Sequence, residues 1–204
     1  MTQFIAIVQR YLFLEGLEKK EDQFVVRAGI FIAMLAVALR LVFWVYTQRY
    51  WDDALIACLH SENWARGLGL THAVSFDNPL QGFTSPLGVL IPMLGDWVHI
   101  GWGIELMKVA SMAASALSVL VVLALGIHQR VRLATPLLLV AMAYVAIEHH
   151  QILWGMAGME SQLAVLSLLL SIYYTVTLRA VPLGLSLAFC MLVRPDFAIW
   201  TVIS

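Results

Sequence analysis

The sequence of 204 residues contains little charge and almost no cysteine. Charged residues make up 12% of the chain, against about a quarter in soluble domains, whereas hydrophobic residues make up 61%. The two cysteines, Cys58 and Cys190, are too few and too far apart to indicate a disulfide framework or a zinc site, so we interpret them as packing residues. The net charge of −1 gives no reason to expect a nucleic-acid partner. This composition predicts an integral membrane protein.

Long apolar runs predict an all-α, polytopic helical bundle. A helix needs about 20 apolar residues to cross the hydrocarbon core of a bilayer. The segments that meet or approach this length are 25–47, 103–127, 133–147, 158–178 and 181–204. Segment 86–100 is short and contains two prolines, so we expect a half-span or a tilted helix that packs within protein. We predict a single transmembrane domain over residues 1–204 with about five or six membrane segments.

The N-terminal residues 1–24 mix charged and apolar side chains and lack the pattern of a signal peptide. We expect this segment to be cytoplasmic or interfacial, with residues 1–17 forming a helix at the membrane surface. Inside the first apolar run, Arg40 is expected to reach the interface by snorkelling.

The distribution of Lys and Arg predicts the orientation of the chain. If segment 86–100 enters and leaves the membrane on the same face, the basic residues all lie on one side of the membrane. That side is then cytoplasmic. The residues are Lys19, Lys20, Arg27, Arg130, Arg132 and Arg179. Residues 48–85 then form a first external loop on the periplasmic face of an inner or plasma membrane. If segment 86–100 spans fully, the later segments invert.

The first loop carries two adjacent carboxylates, Asp52 and Asp53. Residues 51–66 are typical of a helix that lies along the membrane, with Asp52 as its N-cap or first-turn acid. Asp53 and His60 share one face of that helix, roughly 10 Å apart. Neighbouring carboxylates can cap a helix in solvent, accept a proton from a hydroxyl, or bind a divalent cation such as Mg²⁺ or Mn²⁺. The residues alone leave these three roles open.

Two further polar groups interrupt the apolar segments. The first is Glu148-His149-His150, which is typical of an interfacial polar cap; metal ligation is the alternative, although a spaced partner motif is missing. The second is Glu160, near the start of a long apolar helix. It is either a partner of the helix dipole or a functional acid within the membrane region.

The terminal apolar segment contains Arg194, Pro195 and Asp196. One interpretation is an Arg/Asp pair that neutralises itself at a kink in the helix. The other is a guanidinium that binds phosphate.

Three ordered motifs give the chain a resemblance to a known family. The first motif is the first-loop pattern, which consists of residues 52–56, 63–70 and 81–87. The second is Gly-Met-Glu-Ser at 158–161, and the third is Leu-Val-Arg-Pro-Asp at 192–196. Together they make the sequence similar to the N-terminal part of GT-C glycosyltransferases, which are multi-spanning enzymes that use polyprenyl-phosphate sugars. The resemblance is greatest to the bacterial branch that includes mycobacterial arabinofuranosyltransferases.

This resemblance implies a polytopic bundle with a juxtamembrane helix in its first external loop. It implies direct, inverting transfer of a sugar from a polyprenyl-phosphate donor to a hydroxyl of a glycan or lipid-linked acceptor of the cell envelope. Asp52 or Asp53 is then expected to act as general base. Substrate-binding roles are expected for Arg194, as a phosphate ligand, and for Glu160, Asp196 and His60.

The sequence departs from the family pattern at two points. Phe83 stands where the family usually has Tyr, and family members are usually much longer. A noncatalytic membrane subunit or a truncated fragment is therefore an alternative, with a further subunit or a missing C-terminal part completing the enzyme. A transporter piece is a third reading, suggested by Glu105, Arg194 and Asp196 in apolar segments, although paired inverted segments are not evident.

Overall fold

The computed structural model describes residues 20–73 and 82–203, and their regular structure is entirely helical. The all-α prediction is confirmed for these residues, while the predicted surface helix over 1–17 lies outside them. We number the helices in chain order: α1 Lys20–Thr47, α2 Asp52–Ala65, α3 Pro86–Val98, α4 Gly103–Ile127, α5 Thr135–Ile147, α6 His149–Met156, α7 Ser161–Thr177, α8 Ala180–Val193 and α9 Ala198–Ile203. A 3₁₀ turn, Pro195–Phe197, precedes α9.

Three stretches of the described chain are long and apolar enough to cross a membrane: Gln23–Thr47, Gly103–Ile127 and Thr135–Met156. Helices α3, α7 and α8 are apolar but shorter. These lengths support a helical membrane protein. The finer count of five or six membrane segments stays a prediction.

Two of the apolar segments are interrupted in the structure. The backbone at Glu148, with φ −58° and ψ 116°, separates α5 from α6 within the third long stretch. Arg194 is extended, with φ −145° and ψ 111°, and ends α8. This break falls within the segment predicted over 181–204, at the kink that one interpretation of Arg194, Pro195 and Asp196 predicts there. Its physical reason is Pro195, whose ring disfavours a helical conformation in the preceding residue.

Helix α4 lies at the centre of the bundle and contacts α1, α3, α5 and α7. Its buried face carries several small residues, which let neighbouring helices approach closely; they are Ser111, Ala114, Ser115 and Ser118. One apolar cluster joins α4 to α1 and α5, and a second joins it to α7 and α8.

The bundle has two chemically distinct ends. At one end, the Lys108 ammonium nitrogen near the start of α4 lies 5.3 Å from the centroid of the Trp44 ring near the end of α1. At the other, the Arg130 guanidinium donates to the Val176 carbonyl at 2.7 Å. The first loop and the basic Arg130 therefore lie at opposite ends. The choice of cytoplasmic end stays a prediction from the positive-inside rule.

Arg40 is fully buried in α1, so the expectation that it snorkels is wrong. Its guanidinium donates to the Ala36 carbonyl at 3.1 Å, the Ala146 carbonyl at 2.9 Å and Gln162 Oε1 at 2.8 Å. These bonds join α1 to α5 and α7. A buried charge of this kind is retained because internal acceptors replace water.

We expect Arg40→Met to lower the stability of the bundle, because it leaves Ala146 and Gln162 with unpaired buried acceptors. Each such acceptor costs about 1–3 kcal/mol, with the lower figure expected within a membrane. Thermal unfolding in detergent micelles measures the change. Arg27→Met is the matched control, because Arg27 lies on the same helix and is exposed. Equal losses of stability in Arg40→Met and Arg27→Met would contradict the stabilising role of the buried Arg40 hydrogen bonds.

Candidate functional site

Helix α2 places the paired acids of the first loop. Asp52 and Asp53 occupy its first turn, and both are exposed. The start of the helix is attached to the bundle by the Trp51 N–H, which donates to the Ala157 carbonyl at 3.0 Å. Trp51, rather than Asp52, is the N-cap residue, so Asp52 is a first-turn acid.

The buried face of α2 differs from the face expected to hold the site. Ala54, Cys58 and Ser61 point into the bundle, at the i, i+4, i+7 spacing of one helical face. Burial, and secondly the carboxylate of Asp96, raise the pKa of the Cys58 thiol to about 12. Cys58 is therefore an inert packing residue, as the sequence predicts.

Asp96 is a buried acid near the end of α3 that we did not single out from the sequence. Its Oδ1 accepts from the backbone N–H groups of Gly101 and Gly103, each at 2.9 Å, and its Oδ2 accepts from the Ser61 hydroxyl. It joins α2 to the start of α4 and so positions the first loop. A carboxylate inside an apolar segment is the sequence signal that points to it.

A cavity of about 260 Å³ lies at this end of the bundle. Its walls come from all three sequence motifs and include Asp53, Phe83–Ser85, Glu160 and Arg194. Asp52 and Asp196 are not among its lining residues and are exposed to solvent. The fold thus brings together one first-loop acid, the acid that precedes α7 and one guanidinium, which lie far apart in the sequence.

Arg194 is paired with two carboxylates. Its Nη1 lies 3.4 Å from Glu160 Oε1, and its Nη2 lies 2.9 Å from Asp196 Oδ2. The hydrogen bond to Asp196, followed by the charge of Glu160, raises the pKa of Arg194, and the same bond lowers the pKa of Asp196. Glu160 is buried whereas Asp196 is exposed, so Asp196 is the partner that an incoming ligand can displace at lower cost.

His60, which we expected to bind substrate, is buried beside the cavity and does not line it. Its Nδ1 lies 2.7 Å from the Ile56 carbonyl, and its Nε2 accepts from the Gly82 N–H at 3.2 Å. The ring also contacts Phe83 edge-on at 5.1 Å between centroids. With both nitrogens engaged, His60 holds the Gly82–Phe83 backbone that forms one wall.

A second cavity of about 290 Å³ adjoins the first. Trp51, Trp154 and Ser161 line it, and it shares Met159, Glu160 and Arg194 with the first cavity. The Glu160–Arg194 ion pair therefore borders a polar cavity that contains Asp53 and an aromatic cavity that contains the two tryptophans.

Tyr50, just before α2, is fixed by a buried cation. The Lys108 ammonium lies 4.1 Å from the centroid of the Tyr50 ring and 3.6 Å from Glu105 Oε1. Burial and the Glu105 charge raise the pKa of the Tyr50 phenol. This cluster attaches the chain that leads into α2 to the first turns of α4.

Asp52 and Asp53 do not meet a third His, Cys, Asp or Glu ligand within the described part of the chain. Only one of the two carboxylates lines the cavity, so the pair does not converge on one point. A divalent cation at Asp52/Asp53 stays an untested prediction from carboxylate chemistry, and the reaction below is written without one.

No protein-family model, curated protein or solved structure matches this chain. The resemblance to GT-C transferases is therefore carried by the three motifs.

Gly158 lets the segment after α6 approach α2 and α4. Its φ of +96° is strained for any other residue, and an added Cβ would lie 2.9 Å from Ile104 Cγ1 and 3.1 Å from Ala54 Cβ. The helix–helix contact at the floor of the cavity requires glycine here.

We expect Gly158→Ala to destabilise the protein by about 1–3 kcal/mol through the strained backbone and the collision with Ile104. Gly184→Ala is the matched control, because Gly184 lies within α8 with no atom within 4 Å of an added Cβ. It should be neutral or stabilising by about 0.5–1 kcal/mol. Thermal unfolding in detergent measures both. A shift of the same sign and size in the two variants would contradict the role of Gly158.

Proposed function

We propose that the chain is a membrane glycosyltransferase of the GT-C type, or the N-terminal module of one. It transfers a sugar from a polyprenyl-phosphate donor to a hydroxyl of a cell-envelope acceptor, with inversion. The observation that carries the proposal is the shared cavity. Asp53, Glu160 and Arg194 come from three separate motifs and line one space at the polar end of a helical bundle.

Asp53 is the general base in this proposal. It lines the cavity whereas Asp52 does not, although both lie in the first turn of α2. The positive end of the helix dipole stabilises a carboxylate at this position. The acceptor hydroxyl gives its proton to Asp53 as its oxygen forms a bond to the anomeric carbon. The bond from that carbon to the phosphate oxygen breaks, and the lipid phosphate leaves with the electron pair.

Arg194 binds the phosphate of the donor. A guanidinium forms paired hydrogen bonds to phosphate oxygens and stabilises the charge that develops on the leaving group. Phosphate binding requires the exposed Asp196 to give up its contact, which costs little because solvent screens an exposed ion pair. The buried Glu160 keeps Arg194 in place during this exchange.

The aromatic cavity accepts the first isoprene units of the donor lipid. Trp51 and Trp154 are half-exposed and offer large apolar faces, as interfacial tryptophans do in membrane proteins. Because Arg194 borders both cavities, a phosphate there places its lipid chain beside the tryptophans and its sugar beside Asp53.

We expect Asp53→Asn to lower transfer by about 10²–10⁴-fold, because the amide cannot accept the proton of the acceptor hydroxyl. Asp52→Asn removes the same charge from the same helical turn and should retain most of the activity. The assay measures incorporation of labelled sugar from polyprenyl-phosphate donors by purified protein in vesicles. Equal activity of Asp53→Asn and the unchanged protein would exclude Asp53 as base.

Binding of the donor without transfer by the unchanged chain would favour the alternative of a noncatalytic membrane subunit. The same preparation separates the two functions, because labelled donor bound to the protein and sugar transferred to the acceptor are measured independently.

We expect Arg194→Lys to weaken binding of polyprenyl phosphate by about 10-fold or more, since lysine lacks the planar fork of the guanidinium. Asp196→Asn should leave the affinity unchanged or raise it, because it removes a carboxylate that competes for Arg194. Binding is measured with the purified protein in detergent and sugar-free polyprenyl phosphate. Weaker binding by Asp196→Asn than by Arg194→Lys would contradict this assignment.

A further inference from the structure

The break between α5 and α6 gathers three side chains with metal-binding atoms. They are Glu148, His149 and His150, and their donor atoms all lie within 4.8 Å of one another. His150 Nδ1 lies 3.0 Å from Glu148 Oε1, and His149 Nδ1 lies 3.6 Å from the same oxygen. Among the described residues, these three are the group of His, Cys, Asp or Glu side chains whose metal-binding atoms the fold brings together.

The local backbone holds these ligands in place. The Glu148 carboxylate accepts from the backbone N–H groups of His150 at 3.2 Å and Gln151 at 2.8 Å, which fixes it at the start of α6. The two imidazole rings lie 3.8 Å apart between centroids, and His150 also contacts Trp154 at 5.4 Å. A carboxylate held by backbone amides is a pre-organised ligand, because its orientation is already fixed before an ion binds.

The spacing and chemistry of the donors agree with a transition-metal site. Ligand atoms bound at about 2.0–2.2 Å to one ion lie about 2.8–3.1 Å apart in octahedral geometry and about 3.3–3.6 Å apart in tetrahedral geometry. The distances from His150 Nδ1 and His149 Nδ1 to Glu148 Oε1, 3.0 Å and 3.6 Å, are close to these ranges. Two imidazoles with one carboxylate favour late first-row divalent ions such as Zn²⁺ over Mg²⁺, which prefers oxygen ligands. Both histidines are exposed, so an ion can reach them from solvent.

Helix capping explains only part of this arrangement. Capping requires the Glu148 carboxylate and two backbone N–H groups. It does not require the Nδ1 atoms of two neighbouring histidines to face the same carboxylate oxygen. His150 Nδ1 is within hydrogen-bond distance of Glu148 Oε1, and His149 Nδ1 faces the same oxygen at 3.6 Å. This convergence of three side chains that carry metal-binding atoms is the geometry on which a cation site rests.

We propose that Glu148, His149 and His150 form a surface site for a late first-row divalent cation, with Zn²⁺ as the reference ion. Three protein ligands leave at least one position for water or an external ligand. The site is separate from the cavity that contains Asp53, and it does not depend on the proposed transferase activity.

Calorimetric titration of Zn²⁺ into the full chain, purified without a polyhistidine tag and held in lipid nanodiscs, tests the proposal. We expect saturable binding of one Zn²⁺ per chain, without competition from an equal concentration of Mg²⁺. His149→Ala and His150→Ala should each weaken binding by at least about 10-fold. Because both side chains are exposed, these variants are expected to keep the helical content of the unchanged protein, which circular dichroism checks.

His99→Ala is the matched control, because His99 is also exposed but lies outside the cluster. It should leave Zn²⁺ affinity unchanged. Glu148→Gln should weaken Zn²⁺ while its amide oxygen still caps α6, which separates ligation from capping. Unchanged affinity in both His149→Ala and His150→Ala, or an equal loss in His99→Ala, would overturn the site.

Discussion

The junction between the segment after α6 and the start of α2 holds the first loop against the bundle. The Trp51 N–H donates to the Ala157 carbonyl, and Gly158 lies against Ala54 and Ile104 without a side chain between them. This contact brings Asp53 and Glu160 to one cavity, and Glu160 in turn contacts Arg194. Without this contact, the three motifs, which lie on separate elements, would not meet at one cavity. The candidate site therefore depends on a backbone contact more than on any of its charged side chains.

Arg40 and Asp96 are buried charged groups that take their hydrogen-bond partners from the protein itself, because the surrounding hydrocarbon offers none. Arg40 uses two carbonyls and an amide, and Asp96 uses two backbone N–H groups and a hydroxyl. Arg194 differs, since one of its two carboxylate partners is exposed and replaceable. That difference separates Arg40 and Asp96, whose partners are all internal, from Arg194, which has one exposed partner.

Local features of the sequence predicted local structure well. The helix expected over 51–66 is observed as Asp52–Ala65, the segment 103–127 is observed with those bounds, and Glu62 and Arg66 form an ion pair at 3.0 Å at the i, i+4 spacing of a helix. These features depend on spacing within a few residues. The errors concern distant partners. The burial of Arg40 is not predicted from the sequence because two of its three acceptors, in α5 and α7, are more than 100 residues away in the chain.

A helical, apolar chain, the order of its polar motifs and the ends of several helices follow from local sequence, because periodicity, proline and glycine act on neighbouring residues. Which of two adjacent acids lines the cavity depends on how α2 packs in the folded protein. Successive side chains on a helix point about 100° apart, so Asp52 and Asp53 face different surroundings once α2 is docked. The tertiary structure likewise explains why His60 supports the Gly82–Phe83 wall and why His149 and His150 converge on Glu148. Both results depend on the positions of backbone segments relative to one another.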